Sequence, residues 1–167
     1  VGLDIKTFIS VGDLRETLDE HDDKLQVAEG LRILSEQFTD GPCEVIWTRP
    51  GSYSGLHIVR SQYAKLKGWP IGNDGRYICD GLAQKSHLIN HCDAQWYYLP
   101  VDFPDPQWID TGKGYAVSIG SSVRLLAELW ELYAVRELWP VDFARRWDAV
   151  FLPALASVAC GVPIEFK

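Results

Sequence analysis

The segment Ser86-His-Leu-Ile-Asn-His-Cys-Asp93 sets two histidines, a cysteine and an aspartate close together. Trp96-Tyr-Tyr98 and Leu99-Pro-Val-Asp-Phe103 follow at once. Imidazole, thiolate and carboxylate groups bind metals or move protons, and Tyr and Trp stack on ligands. His87 and His91 are four residues apart, so on a helix both rings share one face, as in zinc-dependent hydrolases. Those enzymes carry a Glu directly after the first His, where this chain has Leu88. A metal would need further ligands, for which Asp93, Cys92 and His57 are the candidates. The set is incomplete, so neither a metal nor another cofactor is expected.

Three other groupings bear on chemistry. Gly51-Ser-Tyr-Ser-Gly55 has the outline of a nucleophile elbow, but its centre is Tyr53 where that motif needs Ser. A helix follows it, so the loop could offer N–H groups to an anion with help from Arg49 and Arg60; a Ser-capped turn is the simpler reading. Asp80, Asp93 and Asp102 surround the histidines, and a His–Asp pair can act as general acid and base. Trp96-Tyr97-Tyr98 alternates across a strand. Either Tyr97 or the Trp96/Tyr98 pair is therefore expected to face outward, giving an aromatic recognition surface beside His87 and His91.

Charge narrows the choice of partner. The 167 residues carry a net charge of −7, and residues 1–40 hold ten acids against four bases. Asp19, Glu20, Asp22 and Asp23 are the densest part. Such a stretch repels phosphate backbones, so a basic protein is the expected partner and nucleic acid is not. A solvated helix face is the plainer explanation of the same charges. No apolar run approaches the ~18 residues of a membrane span. The start, Val1-Gly-Leu-Asp4, does not read as a signal peptide. Cys43, Cys79, Cys92 and Cys160 form no CxxC pair, so reduced thiols and a cytoplasmic location are expected. Seven Trp make the chain tryptophan-rich, and a Trp-containing core is the expectation from ordinary burial.

These residues must be positioned by an α+β fold. One domain over 1–167 is expected, with an acidic helical part over 1–40 and an α+β body over 41–167. Leucine spacing predicts helices over 11–21 and 24–38. Strands are expected at 43–48, 96–101, 114–119 and 162–166, and helices at 56–66 and 81–91. Ser121 or Ser122 should cap a helix reaching Leu138, and Asp142 should cap the next. Pro153 should kink or split that last helix, and Gly161 should end it. Leu129 and Phe151 lie centrally in their apolar stripes and are expected in the core; Leu155 and Val158 continue the second stripe.

Three patches together resemble a group of small bacterial proteins of unknown function. They are Gly51–Gly55 with His57 to Arg60, the Ser86–Pro104 segment, and Gly120-Ser-Ser-Val-Arg-Leu-Leu-Ala-Glu-Leu129. The resemblance covers about residues 45–167, and implies that the last patch opens the first of two C-terminal helices. In size and charge the chain is similar to the immunity proteins of toxin systems. The leading expectation is a non-catalytic binding protein, toxin-neutralising in its narrowest form. The alternative is a small hydrolase or transferase with a pocket of His57, His87, His91 and Asp93.

Overall fold

Ser121 ends a strand and starts a helix. Its backbone is extended, and its hydroxyl accepts the Arg124 N–H at 3.2 Å, satisfying one of the donors that a helix start leaves open. The computed structural model describes residues 5–7, 47–48, 53–70, 72, 81–91, 96–110 and 116–166. The expected helices at 11–21 and 24–38 lie outside them, as do Asp19, Glu20, Asp22, Asp23 and Asp93.

Within that range the elements run β1 (Ile5–Thr7), β2 (Trp47–Thr48), α1 (Tyr53–Lys67), β3 (Trp96–Leu99), β4 (Gln107–Asp110), β5 (Ala116–Ser121), α2 (Ser122–Tyr133), α3 (Phe143–Cys160) and β6 (Ile164–Phe166). The fold is α+β, with the two C-terminal helices followed by the terminal strand. The strands form one mixed sheet in the order β2-β1-β6-β3-β5-β4. Only the β3–β5 pairing is parallel. One register row crosses the whole sheet: Trp47, Lys6, Glu165, Tyr97, Ile119, Gln107.

The core lies between one sheet face and the helices. Ile5, Tyr98, Ile164 and Phe166 from the sheet meet Leu56, Val59 and Tyr63 of α1 and Leu125, Leu129 and Leu132 of α2. Phe143, Trp147, Val150 and Ala154 of α3 complete it. Leu129 and Phe151 are both buried, as their stripes imply. Tryptophan contributes as expected. Trp147 stacks on Phe151 at 4.1 Å between ring centroids, and its indole N–H donates to the Leu129 carbonyl at 3.0 Å. Trp139 packs edge-on against Phe143 and donates to the Leu132 carbonyl.

Several expectations need correction. Residues 81–91 are not an α-helix: a short 3₁₀ stretch over Gly81–Lys85 gives way to a turn through Asn90. The helix from Ser122 stops at Tyr133, and a separate 3₁₀ turn occupies Arg136–Leu138. Asp142 precedes α3 in left-handed backbone (φ 65°) and its side chain makes no cap bond. Pro153 does not split α3, which runs unbroken to Gly161. Burial of Pro153 and its neighbours offsets the ~3 kcal/mol that a helical proline costs. Gly161 takes φ 68°, a conformation open to glycine, and closes the helix onto Ser157. Leu155 and Val158 are exposed rather than in the core. Cys160 is disulfide-bonded, against the expectation of reduced thiols; Cys43, Cys79 and Cys92 lie outside the described residues. β1 and β4 were not expected from the sequence, because each is short and flanked by residues that read as loop.

Candidate functional site

The turn that carries the histidines is tied down by side chains from three directions. Ser86 Oγ accepts the Ile89 N–H at 3.0 Å. Glu128, on α2, accepts the His87 N–H on Oε1 at 3.0 Å and the Leu88 N–H on Oε2 at 2.7 Å; the Ser86 hydroxyl donates to the same Oε2 at 3.1 Å. Those N–H groups would otherwise continue a helix, which is why 86–91 turns instead. Arg60 of α1 donates to the Ile89 carbonyl at 2.9 Å. Tyr98 of β3 donates to the His87 carbonyl at 2.7 Å.

These contacts fix the tautomers of both rings. His87 Nδ1 accepts the Ser121 N–H at 2.8 Å, so its proton sits on Nε2, which donates to the Pro104 carbonyl at 3.3 Å. The single Tyr98 hydroxyl proton goes to the His87 carbonyl, so His91 Nδ1 is the donor to Tyr98 Oη at 3.0 Å. His91 also packs on Tyr98 and Phe166. Burial pushes the His87 pKa down to about 4 and the His91 pKa well below the ordinary range. Both rings are therefore neutral at physiological pH. Both nitrogens of His87 are engaged by backbone, which leaves it unsuited to ligate a metal or relay a proton.

The structure brings Arg60, His87 and His91 together around Tyr98. His57 lies on α1, half-buried, with its Nε2 3.4 Å from Ser61 Oγ. Tyr53 opens α1 and Trp96 opens β3. The expected outward aromatic row is not formed by the two tyrosines. Tyr97 and Tyr98 are both buried, because the sheet is covered on both faces at that point. Tyr98 faces the helices, while Tyr97 points the other way and donates to Glu165 Oε1 at 3.2 Å. Among the described residues no group of three His, Cys, Asp or Glu is placed to hold a metal ion. No described helix is long and apolar enough to cross a membrane. Nothing in the sequence marks out Glu128, since a lone Glu within an amphipathic helix carries no local signal.

Asp102 and Asp105 stand exposed on the loop to which His87 is bonded through Pro104. Asp102 is ion-paired with Arg124 at the start of α2. Across the described residues the exposed charges balance. Asp102, Asp105, Glu131, Glu137, Asp142 and Asp148 stand against Lys65, Lys67, Lys85, Arg124, Arg136 and Arg145. Three of these acids are ion-paired with three of the bases: Lys67 with Glu131, Arg124 with Asp102 and Arg136 with Glu137.

The polar cluster of Arg60, Ser86, His87 and His91 is thus turned inward, away from solvent. By the match of residues 75–166 to its family model, the chain belongs to the family described as "Putative DNA-mimic protein". The matched part holds β3 to β6 with α2 and α3. Neither the curated proteins nor the solved structures contain a match to the chain.

Proposed function

We propose that the chain is a non-catalytic binding protein that presents carboxylates to the DNA-binding face of a basic protein. The observation that carries this reading is the distribution of charge. The exposed charges of the described body cancel, so the net −7 of the chain must come largely from the acid-rich residues 1–40. Asp19, Glu20, Asp22 and Asp23 are the group dense enough to substitute for a run of phosphates. Family membership supports a basic, DNA-binding partner, while the acidic stretch lies outside the matched residues 75–166. In its narrower, immunity-type form the partner is a toxin whose nucleic-acid-binding face is blocked. A cytoplasmic site of action suits a partner that works on DNA. The Cys160 disulfide sets a condition on it, because cytosolic thiols are kept reduced.

The test is capture of the partner on immobilised protein, followed by association kinetics at several salt concentrations. The partner should itself bind duplex DNA and be displaced by it. Association should slow steeply with salt, since exposed charges are screened beyond about 8 Å at physiological ionic strength. Reversing Asp19, Glu20, Asp22 and Asp23 to Lys should slow association far more than it speeds dissociation. A partner whose on-rate ignores both salt and the reversal would remove the acidic stretch as the determinant.

A further inference from the structure

The sheet is closed on its second face, and none of the described helices closes it. Tyr97 and Leu99 of β3 and Ile119 of β5 alternate with Tyr98 and Gly120, so they point away from the helix side. Each is at most 1% exposed. All three stand outside the core that Tyr98, Ile164 and Phe166 share with α1, α2 and α3. Glu165 of β6, beside Tyr97 in the same register row, is buried with them and accepts the Tyr97 hydroxyl at 3.2 Å. Burial runs along that row from Glu165 through Tyr97 to Ile119 and ends at Gln107 of β4, which is exposed. The cover therefore comes from the β1 and β2 side and gives out at the opposite edge.

We infer that residues 8–46 of this chain occupy that face. β1 ends at Thr7 and β2 begins at Trp47, and these two strands are neighbours on the side from which the cover comes. The sequence between them supplies the surface needed. As a helix, residues 11–21 place Leu14 and Leu18 on one side and Asp13, Glu16 and Glu20 on the other. Residues 24–38 likewise place Val27, Leu31, Leu34 and Phe38 opposite Glu29 and Glu36. A helix over 24–38 is about 22 Å long at 1.5 Å per residue. From β1 across β6 and β3 to β5 is about 14 Å. Seated so, the segment turns its acids outward on a rigid layer, the carboxylate face that the proposed function calls for.

Other stretches outside the described residues do not meet these requirements. Residues 1–4, 49–52 and 92–95 are too few to cover three strands. Residues 111–115 join β4 to β5, beside Gln107, where the cover is missing. Residues 73–80 are bounded by Trp69 and Ala83, both packed with the helix-side core. Extended, they reach about 28 Å at most, too short to round a sheet edge and return. On α3, Leu152, Leu155 and Val158 offer the leucines another seat, but those side chains are open to solvent and the sheet face is not.

The experiment is a methyl-resolved NOE spectrum of the full chain with no partner present. Ile119 methyl protons should show contacts to methyls of Leu31 or Leu34. Ile119 contacts only to other parts of the chain, or contacts of Leu31 and Leu34 to Leu152 and Leu155 instead, would overturn the inference. So would contacts seen only between differently labelled copies, which would make a second molecule the occupant. Hydroxyl-radical labelling gives a second reading. In a variant carrying Leu31→Asp and Leu34→Asp, oxidation of Tyr97 should rise severalfold while Tyr98, buried on the helix face, keeps its native level. An unchanged Tyr97 would remove the seat; should the variant fail to fold, the native NOEs decide. The seat and the partner fail separately. NOEs present with association indifferent to charge reversal keep the seat and remove the proposed function; NOEs absent with association still slowed remove the seat alone.

Discussion

The backbone N–H of Ser121 points into Nδ1 of His87 at 2.8 Å, across 34 residues of sequence. Ser121 is also the N-cap of α2. One neutral imidazole therefore joins the start of that helix to the turn that its own Glu128 holds.

This relationship sets the behaviour of His87 with pH. A proton on Nδ1 would face the Ser121 N–H, so protonation must break that contact. Because the folded-state pKa is pushed down to about 4, the stability contributed by the neutral ring is present above the unfolded value near 6.5. It is lost as pH falls through that value toward 4. The loss should be about 3 kcal/mol in total. Glu128 acts in the opposite sense: its raised pKa means that its contribution to stability falls as pH rises from its unfolded value to about 7. A bulk unfolding curve mixes the two, so the check is imidazole ¹⁵N NMR. The His87 ring should remain the neutral Nε2–H tautomer down to about pH 4; a ring charged at pH 6 would contradict the geometry.

Tyr98→Phe should destabilise the fold by about 2–4 kcal/mol in chemical denaturation, since it strands two buried groups, each costing roughly 1–3 kcal/mol. They are the His87 carbonyl and the His91 Nδ1–H. A cost below about 1 kcal/mol would mean that water reaches both.

Phe151→Ala should cost about 3–5 kcal/mol, the range for a large buried aromatic. Phe151 stacks on Trp147 and meets Trp130 edge-on, so its loss opens a cavity beneath both indoles. Equilibrium unfolding together with the Trp fluorescence shift measures it. By contrast, Arg124→Ala should change stability by less than about 1 kcal/mol, because its pair with Asp102 is solvated.

The Cys160 disulfide predicts a thiol count. Protein denatured without reductant and treated with an alkylating reagent should take up label on at most two of its four cysteines. Reductant should raise that to four. Four labelled cysteines without reductant would restore the expectation of reduced thiols.

The C-terminal third was legible because its signals are local. Helical spacing places Leu125, Leu129, Leu132, Phe143, Trp147 and Phe151, and Ser121 and Gly161 mark boundaries within a residue or two. The histidine turn departs from the helix that its local sequence implies, and the reason is non-local. Its backbone donors are taken by Glu128, some forty positions away, and no window around His87 reveals that. Burial of Tyr97 was hidden in the same way. Alternation gives two faces, but whether the second is covered depends on tertiary packing.

β6 is the joint of the sheet. To one side lie β1 and β2; to the other lie β3, β5 and β4. The family-matched stretch begins after β1, β2 and α1, so within it β6 would present a raw outer edge. Strand β1 closes that edge through Ile5, Lys6 and Thr7, and β2 is added beyond it. The family-matched sheet is thus completed by strands from outside the match, so a chain cut back to residues 75–166 would leave the β6 edge open to pairing with a strand of another molecule.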